Sequence, residues 1–102
     1  MGGGAKLKKS YEFMYIITPD ATEEERTAVF TYVENNLKAV EAEDVVVDKI
    51  GEKKLAYPID KKATGFYVLV KFNVDGERLV DFEKKINMNE KVIRFILVKV
   101  EK

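Results

Sequence analysis

The stretch Gly51-Glu52-Lys53-Lys54-Leu55-Ala56-Tyr57-Pro58-Ile59 leads through a polar segment, residues 60–65, into Phe66-Tyr67-Val68-Leu69-Val70-Lys71-Phe72. Residues 66–74 combine aromatic and β-branched side chains, which predicts a strand. Val45-Val46-Val47 opens an earlier strand that resumes through residues 55–59. Gly51 interrupts it, which predicts a bulge or a tight bend. Residues 60–65 are polar and predict a short turn region between the two strands.

The flanks complete the pattern. Tyr11-Glu12-Phe13-Met14-Tyr15-Ile16-Ile17-Thr18 reads as a first strand, and Pro19-Asp20 stops it. Thr22 followed three residues later by Glu25 is a capping-box signature. Val29, Phe30, Val33, Leu37 and Val40 then recur at helical spacing, so a helix is expected to about residue 40. Asp75 is placed to cap a second helix, in which Leu79, Phe82 and Ile86 share one face. Residues 87–89 end it, and residues 92–100, nearly all apolar, predict the last strand. The order is βαββαβ, the ferredoxin-like α+β class: a four-stranded antiparallel sheet with two helices on one face. The 102 residues suit one domain, expected over 11–102, behind a Gly- and Lys-rich flexible basic tail over 1–10.

Strand alternation leaves one face of that sheet without cover. Phe13, Tyr15, Ile17, Phe66, Val68, Val70, Phe72, Phe95 and Leu97 suit the helix-covered core. Met14, Ile16, Tyr67, Leu69, Ile96 and Val98 fall on the opposite face, rimmed by Glu12, Lys71 and Arg94. Six large apolar side chains in one patch exceed what a monomer ordinarily exposes, which predicts a protein-binding surface.

Composition narrows the chemistry. The chain has no Cys and no His. Disulfides and soft metal sites are excluded, as is the usual neutral-pH general base. No nucleophile–base pair forms around Ser10 or the threonines. Glu23-Glu24-Glu25 sits in the first helical turn, where acids are favoured by the helix dipole. No enzyme, cofactor or metal is expected. No apolar run is long enough to span a bilayer, and a soluble cytoplasmic protein is expected.

Net charge is zero, from 18 basic and 18 acidic residues, but its distribution is uneven. Residues 20–44 hold eight acids and two bases, whereas residues 84–102 hold six bases and two acids. Local fields of this kind leave room for an anionic partner. Lys8, Lys9, Lys53, Lys54, Lys91 and Arg94 are the candidate phosphate contacts, with Lys61 and Lys62 in the next turn. Tyr11, Tyr57 and Tyr67 offer rings that stack on bases.

The string from Gly51 to Ile59 resembles the signature of the bacterial small-subunit ribosomal protein six family, in which a Gly, a basic pair and Leu-Ala-Tyr-Pro-Ile recur. The resemblance continues in Gly65-Phe66-Tyr67-Val68-Leu69 and Asn89-Glu90-Lys91-Val92-Ile93-Arg94, and covers about residues 11–100. It departs at Ile50, often Trp in relatives, and at Lys53-Lys54, commonly arginine-rich; lysine lacks the planar fork of arginine. The resemblance implies a ribosomal structural protein that binds small-subunit ribosomal RNA together with small-subunit ribosomal protein eighteen, as a heterodimer. That partner would cover the open face and supply basic charge. The competing reading from the residues alone is a regulatory or dimerisation module that binds a ligand or itself through the sheet. An acyl-phosphate hydrolase on this fold would need an arginine-bearing anion loop after the first strand, and residues 19–22 contain no arginine.

Overall fold

A computed structural model describes residues 8–59 and 62–100. Lys61, residues 1–7 and the side chains of Tyr57 and Lys62 lie outside the described residues. The elements are β1 (Lys9–Ile17), α1 (Glu23–Ala39), β2 (Glu43–Ile59), β3 (Lys62–Val74), α2 (Leu79–Asn87) and β4 (Val92–Lys99). All pairings are antiparallel, in the order β2-β3-β1-β4. This is the ferredoxin-like arrangement expected from the sequence.

The helix ends follow from local chemistry. At the start of α1, Thr22 Oγ1 accepts from the Glu25 N–H at 3.1 Å, and Glu25 Oε1 accepts from the Thr22 N–H at 2.8 Å. The capping box is therefore complete, and Glu23, Glu24 and Glu25 sit at the positive end of the dipole. At the other end Glu41 turns into the left-handed region with φ 60. The Glu41 N–H then donates to Lys38 O at 3.0 Å and the Ala42 N–H to Leu37 O at 3.0 Å, a Schellman closure. Asp75 Oδ1 accepts from the Glu77 N–H at 3.0 Å and starts a 3-10 turn, Gly76–Arg78, that runs into α2.

The core lies between the helices and one face of the sheet. Phe13, Tyr15 and Ile17 of β1 and Val68, Val70, Phe72 and Val74 of β3 are buried against Val29, Val33, Leu37, Leu79, Phe82 and Ile86. Phe13 stands at the centre. Its ring meets Phe82 edge-on at 5.0 Å, Tyr15 at 5.2 Å and Phe95 at 5.6 Å. Burial of a side chain of this size contributes about 1.5–3 kcal/mol.

Two features depart from the expected layout. First, residues 62–65 are strand. β3 begins at Lys62, and β2 and β3 continue to pair through Lys53–Gly65, Lys54–Thr64 and Ile59–Lys62. β1 stops pairing with β3 at Ile17–Phe66, so beyond Phe66 the hairpin projects as a two-stranded arm. Both sides of such a ribbon lack sheet or helix cover, so polar residues such as Thr64 fit a strand as well as a turn. The arm lengthens the molecule: the Cα radius of gyration is 14.5 Å, against about 13 Å for a compact chain of this size. Second, α1 and α2 do not cover β2. Val47 shares the core side of the sheet yet is 40% exposed. A groove of about 550 Å³ separates α1 from β2, with Tyr15, Phe30, Leu37, Val47 and Lys49 in its walls. Burial pushes the Tyr15 phenol up from its ordinary pKa, and the Glu34 carboxylate adds to the shift.

The bulge expected at Gly51 is present. Lys49 pairs with Val68 and Gly51 with Tyr67, so Ile50 is an extra residue in β2. Gly51 has φ 108, a backbone conformation that favours glycine. The expected element limits move slightly elsewhere. β1 starts at Lys9 rather than residue 11, and β2 at Glu43 rather than Val45.

Candidate partner and nucleic-acid interfaces

The open face is laid out by register. Paired residues share a face, so the pairings define rows that cross all four strands. One row is Val46, Lys71, Glu12 and Val98. The next is Asp48, Leu69, Met14 and Ile96, and the third is Gly51, Tyr67, Ile16 and Arg94. Lys53 and Gly65 begin a fourth at the root of the arm.

Of the six predicted docking residues, five are accessible to a partner. Ile96 and Val98 are each 51% exposed. Met14, Tyr67 and Leu69 are partly exposed beside them. Ile16 is different: it is 7% exposed. A Cβ placed on Gly65 would stand 2.3 Å from Ile16 Cγ2 and 3.7 Å from Leu55 Cδ2. The Ile16 side chain therefore fills the space that the missing Gly65 side chain leaves. Leu55, itself 8% exposed, approaches the same point from β2. Ile16 belongs to an internal contact and is removed from the accessible patch. Val46, 60% exposed at the end of the first row, extends the patch onto β2. Alternation along Val45-Val46-Val47 is the signal that would have found it.

The predicted cations fall at two ends of the sheet. Lys53 and Lys54 stand at the root of the arm, Arg94 opposes Ile16 in the third row, and Lys91 immediately precedes β4 at that same end. Lys8 and Lys9 lie at the far end, where Lys9 pairs with Val74. Lys8 and Lys91 are among those already engaged. Lys8 Nζ pairs with Glu43 Oε2 at 2.9 Å and also donates to Glu41 O at 2.9 Å. Lys91 Nζ pairs with Glu25 Oε2 at 3.1 Å. The hydrogen bond from the Thr22 N–H, followed by the contact with Lys91, holds the Glu25 carboxyl below its ordinary pKa. Tyr67 presents its ring on the open face. Tyr11 instead belongs to the helix-covered side, where it stacks on Phe72 at 6.5 Å.

Among the described residues, no group of three or more acidic, His or Cys side chains is arranged to hold a metal. No described helix is long and apolar enough to cross a membrane. The geometry offers an apolar sheet face and separate cationic ends, which suit binding.

Comparison with known proteins gives these surfaces a context. A family model described as Ribosomal protein S6 matches residues 10–99. "Small ribosomal subunit protein bS6" of Fusobacterium nucleatum is 47% identical over 91 residues, covering 89% of this chain and 97% of that protein. The protein of the same name from Thermoanaerobacter pseudethanolicus is 37% identical over 93 residues, covering 91% and 98%. The crystal structure of 30S ribosomal protein S6 from Thermotoga maritima superposes with a TM-score of 0.84 at 28% identity, covering 92% of this chain and 89% of that one.

Proposed function

The chain belongs to the ribosomal protein S6 family, and on that premise we propose that it binds small-subunit ribosomal RNA jointly with small-subunit ribosomal protein eighteen. Membership makes it a non-enzymatic constituent of the small ribosomal subunit. The finer reading rests chiefly on the open sheet face. Met14, Leu69, Tyr67, Ile96 and Val98 form an apolar surface that neither helix covers, rimmed by Glu12, Lys71 and Arg94. A folded protein partner removes that surface from water.

Lys53, Lys54 and Arg94, with Lys91, form the main phosphate-contacting set at the arm end. Lys8 and Lys9 form a smaller set at the other end. The ion pairs of Lys8 and Lys91 are partly exposed, and water and salt screen pairs of that kind. An RNA phosphate therefore competes with Glu43 and Glu25 on near-equal terms. Zero net charge fits this division of labour, in which a basic partner adds to the field that the RNA meets.

The test is equilibrium binding of the purified chain to small-subunit ribosomal RNA at two salt concentrations, with and without protein eighteen. Binding that weakens with salt and strengthens with the partner is expected. Failure to bind at low salt with the partner present would overturn the proposal.

A further inference from the structure

Among the described residues beyond Phe66 the arm pairs only with itself, and a lone two-stranded ribbon is marginally stable in water. Its root carries the basic pair. Lys53 opposes Gly65 and Lys54 opposes Thr64, and both lysines are exposed. Successive strand residues point to opposite faces, so these two ammonium groups leave opposite sides of the ribbon. Such a pair fits a cleft with phosphates on both walls better than a flat surface. It serves that role only if the ribbon keeps one direction, because ordering a loose segment on binding subtracts from affinity.

The root holds a contact that supplies this direction. Leu55 and Ile16 are buried to 8% and 7% exposure, although register places both on the open face. They meet at Gly65. A methyl group there would lie 2.3 Å from Ile16 Cγ2, 3.5 Å from Ile17 O and 3.7 Å from Leu55 Cδ2. Both side chains lie over Gly65, which brings Leu55 of β2 towards Ile16 of β1, although the two strands are not neighbours in the sheet. Leu55 directly follows the two lysines, so the contact acts at the position where they leave the sheet.

We infer that Ile16, Leu55 and Gly65 form a latch that fixes the arm against the sheet and thereby positions Lys53 and Lys54 on RNA phosphates flanking the ribbon. The inference rests on the RNA-binding reading above. The lysines touch the ligand, and the three latch residues are positioning residues.

The experiment measures affinity of the full chain, with protein eighteen, for small-subunit ribosomal RNA across a salt series. Lys53→Ala with Lys54→Ala is expected to weaken binding about tenfold and to lower the log–log salt slope by about 1.4–1.8, two phosphate contacts' worth. Leu55→Ala is expected to reproduce most of both effects with the lysines intact, and Leu55→Met to restore them. Gly65→Ala acts as Leu55→Ala does, because its methyl displaces Ile16. Adding Leu55→Ala to the double lysine variant is expected to weaken binding by less than about twofold, since coupled positions are not additive. If Leu55→Ala does not fold, as circular dichroism would show, Leu55→Val takes its place. A wild-type salt slope in the latch variants, or losses that multiply in the triple variant, overturns the latch. Salt-independent binding, or none, by the wild-type complex overturns the RNA reading and the latch together.

Discussion

Phe13 and Met14 are neighbours in β1, yet Phe13 is 0% exposed among three aromatic rings while Met14 faces outward between Leu69 and Ile96. The same contrast repeats along β3, where Val68 and Val70 are buried and Tyr67 and Leu69 are partly exposed. One face of the sheet stabilises the fold and the other is left open. The two faces share their strands and much of their residue chemistry. What distinguishes them is the pair of helices, which cover one side only. Hydrophobicity alone therefore does not mark a core: position relative to the helices decides what an apolar side chain does.

Substitutions that separate stability from association test this contrast. The largest effect is expected from Phe82→Ala, which empties the site against Phe13 and Phe72. Denaturant unfolding should show a loss of about 3–5 kcal/mol. Leu69→Glu attacks the other face. It should leave unfolding nearly unchanged and weaken heterodimer formation by about 2 kcal/mol, roughly thirtyfold, measured by calorimetry. Unaltered heterodimer affinity would assign that face to no partner.

Smaller tests concern the helices that create the asymmetry. Thr22→Ala removes the acceptor for the Glu25 N–H and should lower stability by about 1 kcal/mol with no change in partner affinity. The smallest effect is the acid dependence of the same cap. Glu25 has a lowered pKa in the folded chain, so its contribution is fully present above its ordinary unfolded value and fades as pH falls through the folded value. Glu25→Gln should flatten the part of the acid-unfolding curve that lies in that window. An unchanged curve would show that the cap hydrogen bond survives protonation.

Much of this was legible in the sequence. Local signals carried the order of elements. Thr22 and Glu25, three residues apart, foretold the cap they form, and Gly51 foretold the bulge. Strand alternation separated Phe13 from Met14 correctly. Errors arose where a distant residue decided the outcome. Ile16 obeys the alternation but is buried over Gly65, 49 positions later in the chain, with Leu55 approaching the same point. The ion pairs of Lys8 and Lys91 were not legible because their partners, Glu43 and Glu25, are remote in sequence. Residues 60–65 read as a turn because a ribbon without cover needs no apolar face. The exposure of Val47 depends on how far two helices reach across four strands, which no single stretch encodes.

The bulge at Ile50 and Gly51 also sets the phase of everything beyond it. Before it, the even-numbered Val46 and Asp48 share the face of Leu69; after it, the odd-numbered Gly51 and Lys53 share the face of Tyr67 and Gly65. An added Cβ at Gly51 would meet nothing within 4 Å, so the glycine is there for its backbone angle and not for room. Its single extra residue works as a half-period shift in the strand. Pairing Ile50 with Tyr67 in a regular ladder, without the bulge, would put the even numbers back on the open face and rotate Leu55 away from Ile16, while every side chain between Glu43 and Lys49 kept its place. The direction of the arm is thus encoded one step upstream of the arm itself, in the count of residues and not in their kind.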